Sequence, residues 1–115
     1  MTAIDLQSMS VPELLDRFAD NGIKQDKALL YDEGRKFNKL FRDMDAINKE
    51  LLRRGDQAQL ELLKLYGHSN MQVRVQAAKF TMVTAPAKAK VELEAIKSSR
   101  HFPQAGDAGM ALREF

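Results

Sequence analysis

Few residues in this sequence have the types and spacing that catalysis needs. The chain has no cysteine and only two histidines, His68 and His101, and both lie in predicted turns before helices. A metal site built on these histidines would lack a third ligand at a suitable spacing. The acids Asp43 and Asp45 are two positions apart in a predicted helix, so they point in nearly opposite directions and cannot share a substrate. No phosphate-binding glycine loop or hydrolase motif occurs. The sequence therefore predicts no enzyme activity, no metal and no cofactor.

Basic residues do form a pattern, along one side of a helix predicted over residues 33–54. At about 100° per residue they fall within an arc of about 80°, opposite an apolar side that includes Phe37 and Phe41. They extend over about 27 Å of helix. We call these residues the basic stripe, and they are Arg35, Lys39, Arg42, Lys49 and Arg53. The stripe has three interpretations: a solvated helix face, a docking surface for an acidic protein, or a surface for nucleic-acid backbone. Aromatic residues for base stacking are not interleaved with it.

Three polar residues fall on the apolar sides of the first two helices. Asn48 shares a helical angle with Phe37 and Phe41, and Gln25 and Asp26 fall within the apolar side of the preceding helix. A buried amide or carboxylate without a partner is costly, so each must find one. The three residues either bond each other or a helix end across the first hairpin, or they form the polar floor of a binding groove.

Charge is unevenly distributed along the chain. Residues 1–34 contain seven acids and three bases, whereas residues 35–54 contain seven bases and three acids. Two adjacent antiparallel helices of opposite charge would attract each other, although exposed pairs contribute only about 0–1 kcal/mol each. The whole chain has a formal net charge of +2, which permits a nucleic-acid partner without demanding one.

Composition places the chain among ordinary folded domains. Its 115 residues fit one domain, and 44% apolar with 30% charged residues exclude a fully disordered chain. The start of the sequence has no secretory signal, and no apolar run approaches the roughly 20 residues needed to cross a bilayer. We therefore expect a cytoplasmic protein with no membrane partner.

Capping and helix-breaking residues predict six helices, and no stretch alternates in the way that strands do. Ser10 and Glu13 have capping-box spacing, so the first helix is expected to begin at Val11 and to be interrupted or kinked near Gly22. Its expected apolar side consists of Leu14, Leu15, Phe18, Gly22 and Leu29. The other helices are predicted over 33–54, from Asp56 to Gly67, over 70–84, from Pro86 to Ser98-Ser99, and from Pro103 onward. Residues 10–115 should form a single domain, and residues 1–9 a flexible segment.

The helix over 70–84 is apolar nearly all round, so it should lie at the centre of the fold. Ser69 and Gln72 give it a second capping-box spacing, and Ala77 and Ala78 are expected to be buried on different sides. A shift of 32 or 33 positions places the apolar residues of 60–80 on those of 93–112. The match indicates either a helical repeat or a coincidence between two amphipathic helix pairs.

The segment His68 to Ala78 resembles the turn and second helix of a HEAT repeat, through Val73-Arg74 and Ala77-Ala78. More broadly, residues 10–114 resemble a small family of bacterial HEAT-like domains of unknown function. This wider resemblance is carried by residues 37–41, 50–55 and 73–78. It implies an α–α superhelix of about three hairpins, and it assigns no catalytic residue.

We therefore expect a non-catalytic protein–protein interaction module, for example an adaptor or immunity-type protein with a cytoplasmic partner. The alternative is a nucleic-acid-binding HEAT-like domain that uses the basic stripe. The chain is expected to be a monomer or a homodimer. A two-fold contact would use Met110, Ala111 and Phe115 at the end of the last helix.

Overall fold

A computed structural model describes residues 5–115, and all regular secondary structure in this range is helical. The predicted all-α class is therefore confirmed. The six α-helices are α1 (Val11–Leu30), α2 (Gly34–Arg53), α3 (Asp56–Gln59), α4 (Met71–Phe80), α5 (Pro86–Ser99) and α6 (Gln104–Leu112). Two 3-10 segments, Leu6–Ser8 and Leu60–Gly67, accompany them. One compact unit ends at Glu61, and a second extends from Leu62 to Phe115.

In the N-terminal unit, α1 and α2 pack against each other as a hairpin. The predicted capping box is present: the Glu13 amide donates to the Ser10 hydroxyl, and the Ser10 amide donates to the Glu13 carboxylate. Helix α1 then continues without interruption through Gly22, which is buried. The core of the hairpin consists of Leu14, Leu15, Phe18, Met44, Ile47 and Leu51.

The prediction that Leu29 belongs to the buried apolar side of α1 was wrong. Leu29 is 39% exposed, and Ala28 is buried in the last turn of α1. Leu29 borders a small surface groove shared with Gly34 and Phe37.

The predicted short helix from Asp56 to Gly67 is α-helical only over α3. The next eight residues form a 3-10 helix. Gly55 precedes α3 with φ 117° and ψ 163°, a conformation that is essentially restricted to glycine. The sequence predicts that Gly55 ends α2 in the left-handed helical conformation; its φ is positive, but its ψ is extended, so the predicted conformation is wrong.

In the C-terminal unit, α5 contacts both α4 and α6. Helix α4 has buried residues on all sides, including Val73, Val75, Ala77 and Ala78 at 0% exposure, as its sequence predicts. Its N-cap is Asn70, whose side chain accepts from the amides of residues 72 and 73, and not Ser69.

Helix α4 ends four residues earlier than predicted. The hydroxyl of Thr81 donates to the carbonyl oxygens of Ala77 and Ala78, and it also bonds the hydroxyl of Tyr66. A side chain that occupies the last carbonyls in this way competes with helix continuation.

The burial of equivalent residues supports the predicted internal repeat in the second helix of each helix pair but not in the first. Val73 and its predicted equivalent Ala105 are both buried. In the preceding elements, Leu62 is buried whereas its predicted equivalent Ala95 is exposed. At the end of the chain, Ala111 is buried whereas Met110 and Phe115 are exposed, so Ala111 is not available for the predicted two-fold contact.

Candidate functional site

Three bases of the predicted stripe form an exposed row on α2. Arg35, Lys39 and Arg42 occupy successive turns over about 10 Å of helix axis. Within residues 5–115, none of the three takes part in an ion pair. We call these three residues the basic ridge. Because Asp43 and Asp45, the acids of α2 nearest to Lys39 and Arg42, pair with Arg17 and Lys49, the charges of the ridge are available to a ligand.

The other two members of the stripe are paired within α2. Lys49 Nζ lies 3.0 Å from Asp45 Oδ2, although the Lys49 side chain remains 74% exposed. Arg53 donates through Nε and Nη2 to the two carboxylate oxygens of Glu50, at 3.0 and 2.7 Å. The predicted stripe therefore consists of three residues without an ion pair, the basic ridge, and two residues that pair with acids of α2, Lys49 and Arg53.

Glu50 links Arg53 to Arg54, which in turn contacts the N-terminal 3-10 turn, Leu6–Ser8. Its carboxylate is nearly buried and also accepts from Arg54 Nε at 2.7 Å. Hydrogen bonds from Arg53 and then Arg54 lower the pKa of Glu50 from 4.5 to about 2, so this acid is charged at neutral pH.

The same Arg54 holds residues that the sequence assigned to a flexible segment. Its Nη2 donates to the carbonyl oxygens of Leu6, Gln7 and Met9 at 3.1, 3.3 and 2.7 Å. Residues 5–9 therefore lie along α2, and the remainder of that segment, residues 1–4, lies outside the described residues.

The turn and the exposed side of α2 border a groove of about 630 Å³. Its lining includes Leu6 and Gln7 from the turn and Ala46, Lys49 and Arg53 from α2. Ala46 is exposed on the same side of the helix as the basic ridge. The ridge therefore continues into a shallow surface that has a small apolar centre and charged edges.

The acids of α1 do not neutralise the basic ridge. Across the hairpin, Arg17 on α1 donates to Asp43 on α2 at 2.8 and 3.1 Å, and Asn21 donates to the same carboxylate at 2.6 Å. The base is on the acidic helix and the acid is on the basic helix, which is the reverse of the expected polarity. Asp20 pairs with Lys24 within α1.

The predicted polar residues do not form one polar floor. Gln25 is fully buried and donates to the carbonyl oxygen of Phe37 at 3.4 Å. Asn48 is half-buried and accepts from Gln59 at 3.0 Å. Asp26 is half-buried. Gln25 thus bonds the first turn of α2 across the first hairpin, as one of the two interpretations expects, whereas the partner of Asn48 is a side chain of α3, outside that hairpin.

Other buried polar residues were not predicted from the sequence. In the C-terminal unit, the side chains of Gln72 and Gln104 bond each other at 2.9 Å, and Gln76 is also buried. Arg74 and Glu92 form a bidentate pair at 3.0 and 3.2 Å. For Gln72 and Gln76, the available signal was the even distribution of apolar residues around α4, which indicates burial on all sides of that helix.

The two histidines are not assembled into a site. His68 is half-buried, and its Nδ1 accepts from the Asn70 amide at 2.9 Å, whereas His101 is exposed. Over the described part of the chain, no three metal-ligating side chains meet. In that same part, no helix is both long enough and apolar enough to cross a bilayer.

The chain is similar in sequence to one protein family and in structure to a solved bacterial protein. The sequence matches the family model described as "Domain of unknown function (DUF2019)" over residues 12–115. The chain is also similar to the crystal structure of the protein RPA1889 from Rhodopseudomonas palustris CGA009, with a TM-score of 0.92 and 48% sequence identity. That similarity covers 96% of this chain and 92% of the other chain. No curated protein matches the sequence.

Proposed function

We propose that this chain, which belongs to the family described as a domain of unknown function (DUF2019), is a non-catalytic protein-binding module. An acidic segment of a cytoplasmic partner docks on the basic ridge of α2. The observation that carries this proposal is the row of Arg35, Lys39 and Arg42, which are exposed and have no ion pair within residues 5–115. Nearby acids pair with other bases, so the ridge retains its charge.

The ridge fits a protein segment better than it fits nucleic acid. Three charges over about 10 Å match a short acidic segment, whereas nucleic-acid affinity rises with the number of phosphates neutralised. The N-terminal unit contains twelve acids and ten bases up to residue 61, so outside the ridge it offers no excess positive charge to an extended polyanion. Ala46 adds exposed apolar surface on the same side of α2, which suits a protein partner.

We also infer that the C-terminal unit is HEAT-like. Val73-Arg74 and Ala77-Ala78 support this inference, because the Val and Ala residues are buried in a central helix. Arg74 of this motif is paired with Glu92, so it serves the fold and is not free for a ligand. A HEAT-like architecture agrees with a role in binding, since helical repeats commonly present extended binding surfaces.

Differential capture tests the proposed function. The purified chain, immobilised at physiological salt, is exposed to lysate of its native cells with and without nuclease. The ridge variant combines Arg35→Gln, Lys39→Gln and Arg42→Gln. The control variant combines Lys27→Gln, Lys97→Gln and Arg113→Gln, which removes the same charge from exposed residues elsewhere.

We expect one acidic protein to be retained by the wild-type chain and the control variant, and to be reduced at least tenfold on the ridge variant. All three proteins should keep the same helicity. Retention that disappears with nuclease would favour the nucleic-acid alternative. Equal retention by the ridge variant would exclude the ridge as the binding surface.

A further inference from the structure

The C-terminal unit contains an apolar surface groove of about 540 Å³. Leu63 and Tyr66 of the 3-10 segment form one wall, and Ala87 and Val91 of α5 form the other. Val91 is 69% exposed at the centre of this wall. A large apolar side chain of a ligand would shield Val91 and both walls from water, which is favourable.

The polar groups at the floor of the groove are already satisfied. The Tyr66 hydroxyl bonds Thr81 at 2.5 Å, and the Glu92 carboxylate bonds Arg74 through both oxygens. A polar ligand group would have to displace one of these bonds. The floor therefore favours an apolar group.

The rim of the groove is positively charged. Lys88 of α5 lines it. Its side chain is exposed and has no ion pair among the described residues. From residue 62 onward the chain has eight bases and four acids, and two of these acids, Glu92 and Asp107, are paired with Arg74 and Lys79. This charge favours an acidic ligand at the rim.

We propose that this groove docks an acidic amphipathic helix of a protein partner. An apolar side chain of that helix fills the space between Tyr66 and Val91, and one of its carboxylates contacts Lys88. The walls belong to helical elements, and residues 5–115 offer no sheet edge to which an extended peptide could add, so a helix in the groove is the matching mode. This inference rests on the proposed protein binding, but it uses α5 and is independent of the basic ridge.

A synthetic probe tests the groove directly. The probe is an 18-residue helical peptide with leucine on one side and glutamate elsewhere, titrated into the full chain at physiological salt and followed by amide NMR. A scrambled peptide of the same composition lacks the apolar side. A 12-nucleotide single-stranded RNA serves as the rival polyanion.

Two valine substitutions provide a matched pair. Val91→Glu changes the groove, whereas Val83→Glu changes a residue that is 92% exposed and does not line it. We expect saturable shifts at Leu63, Tyr66 and Val91, at least tenfold weaker binding for Val91→Glu, and less than a twofold change for Val83→Glu. Circular dichroism verifies that both variants are folded.

Three results would overturn the groove as a docking site: no saturable shift at its lining up to millimolar peptide, equal binding of the scrambled peptide or the RNA, or unchanged binding by Val91→Glu. The ridge variant separates the two proposals. If it binds the peptide normally, the groove acts independently of the ridge. If it loses the peptide while Val91→Glu retains it, the groove proposal is wrong and the ridge proposal stands.

Discussion

Replacing Ala78 by leucine should destabilise the C-terminal unit by overfilling its core. Ala78 is 0% exposed on the central helix α4. It belongs to a cluster with five other buried residues from α4, α5 and α6, which are Val75, Leu93, Ile96, Ala108 and Ala111. Tyr66, Met71, Met82 and Leu112 pack against this cluster. A larger side chain at residue 78 therefore has no direct route to solvent.

The size of the effect follows from this packing. Leucine adds three carbon atoms to a position surrounded by fully buried neighbours, so side chains or helices must move apart. Overpacking of this kind costs about 1–3 kcal/mol. For a chain of this length, each kcal/mol corresponds to about 4 °C, so the midpoint of thermal unfolding should fall by about 4–12 °C.

Urea and thermal unfolding followed by circular dichroism measure this effect. Ala77→Leu should behave in the same way, because Ala77 is also 0% exposed on α4. Ala95→Leu is the matched control, since Ala95 is exposed on α5, and it should change stability by less than about 0.5 kcal/mol. If Ala77→Leu and Ala78→Leu both unfold like the control, α4 is not the centre of the packing described above.

Two further predictions concern the N-terminal unit. Gly55→Ala should lower the free energy of unfolding by about 1–3 kcal/mol because φ is 117° at Gly55. Gly34→Ala, which has equal space and no positive φ, should be neutral or slightly stabilising. Equal unfolding midpoints of the two variants would exclude backbone strain as the reason for glycine at residue 55. The lowered pKa of Glu50, about 2, means that its contribution to stability is complete above the ordinary pKa of 4.5 and is lost as pH falls toward 2. Glu50→Gln should therefore make the loss of stability between these pH values shallower, and an unchanged slope in acid titrations of unfolding would contradict the assignment of Arg53 and Arg54 as its partners.

Much of the N-terminal hairpin could be predicted from the sequence, because the signals for its helix ends are local. Ser10 and Glu13 cap α1 from within four residues, and Gly55 ends the α2 region as its type predicts. The end of α4 could not be predicted from local signals alone. It depends on the Thr81 hydroxyl, whose partner Tyr66 is fifteen positions away and belongs to another element.

The candidate site shows the same limit. Periodicity correctly placed five bases on one side of α2, and the spacing of Asp45 to Lys49 could have identified one neutralised member, since residues four apart on a helix pair. The burial of Glu50 and the order of residues 5–9 depend on Arg54, which reaches more than forty positions back along the chain. The apolar groove combines residues 63 and 66 with residues 87 and 91, so no single helix predicts it.

The central claim is that the exposed side of α2 contacts an acidic protein. Photo-crosslinking in native cells tests it most directly, with a photoreactive amino acid placed at Ala46, beside the basic ridge, and in a separate variant at Asp16, an exposed residue of α1. We expect a discrete covalent adduct with an acidic protein at Ala46 that is resistant to nuclease. Arg35→Gln, Lys39→Gln and Arg42→Gln together should greatly reduce this adduct, and Asp16 should give none. No adduct at Ala46, an equal adduct at Asp16, or an adduct that nuclease removes would contradict it.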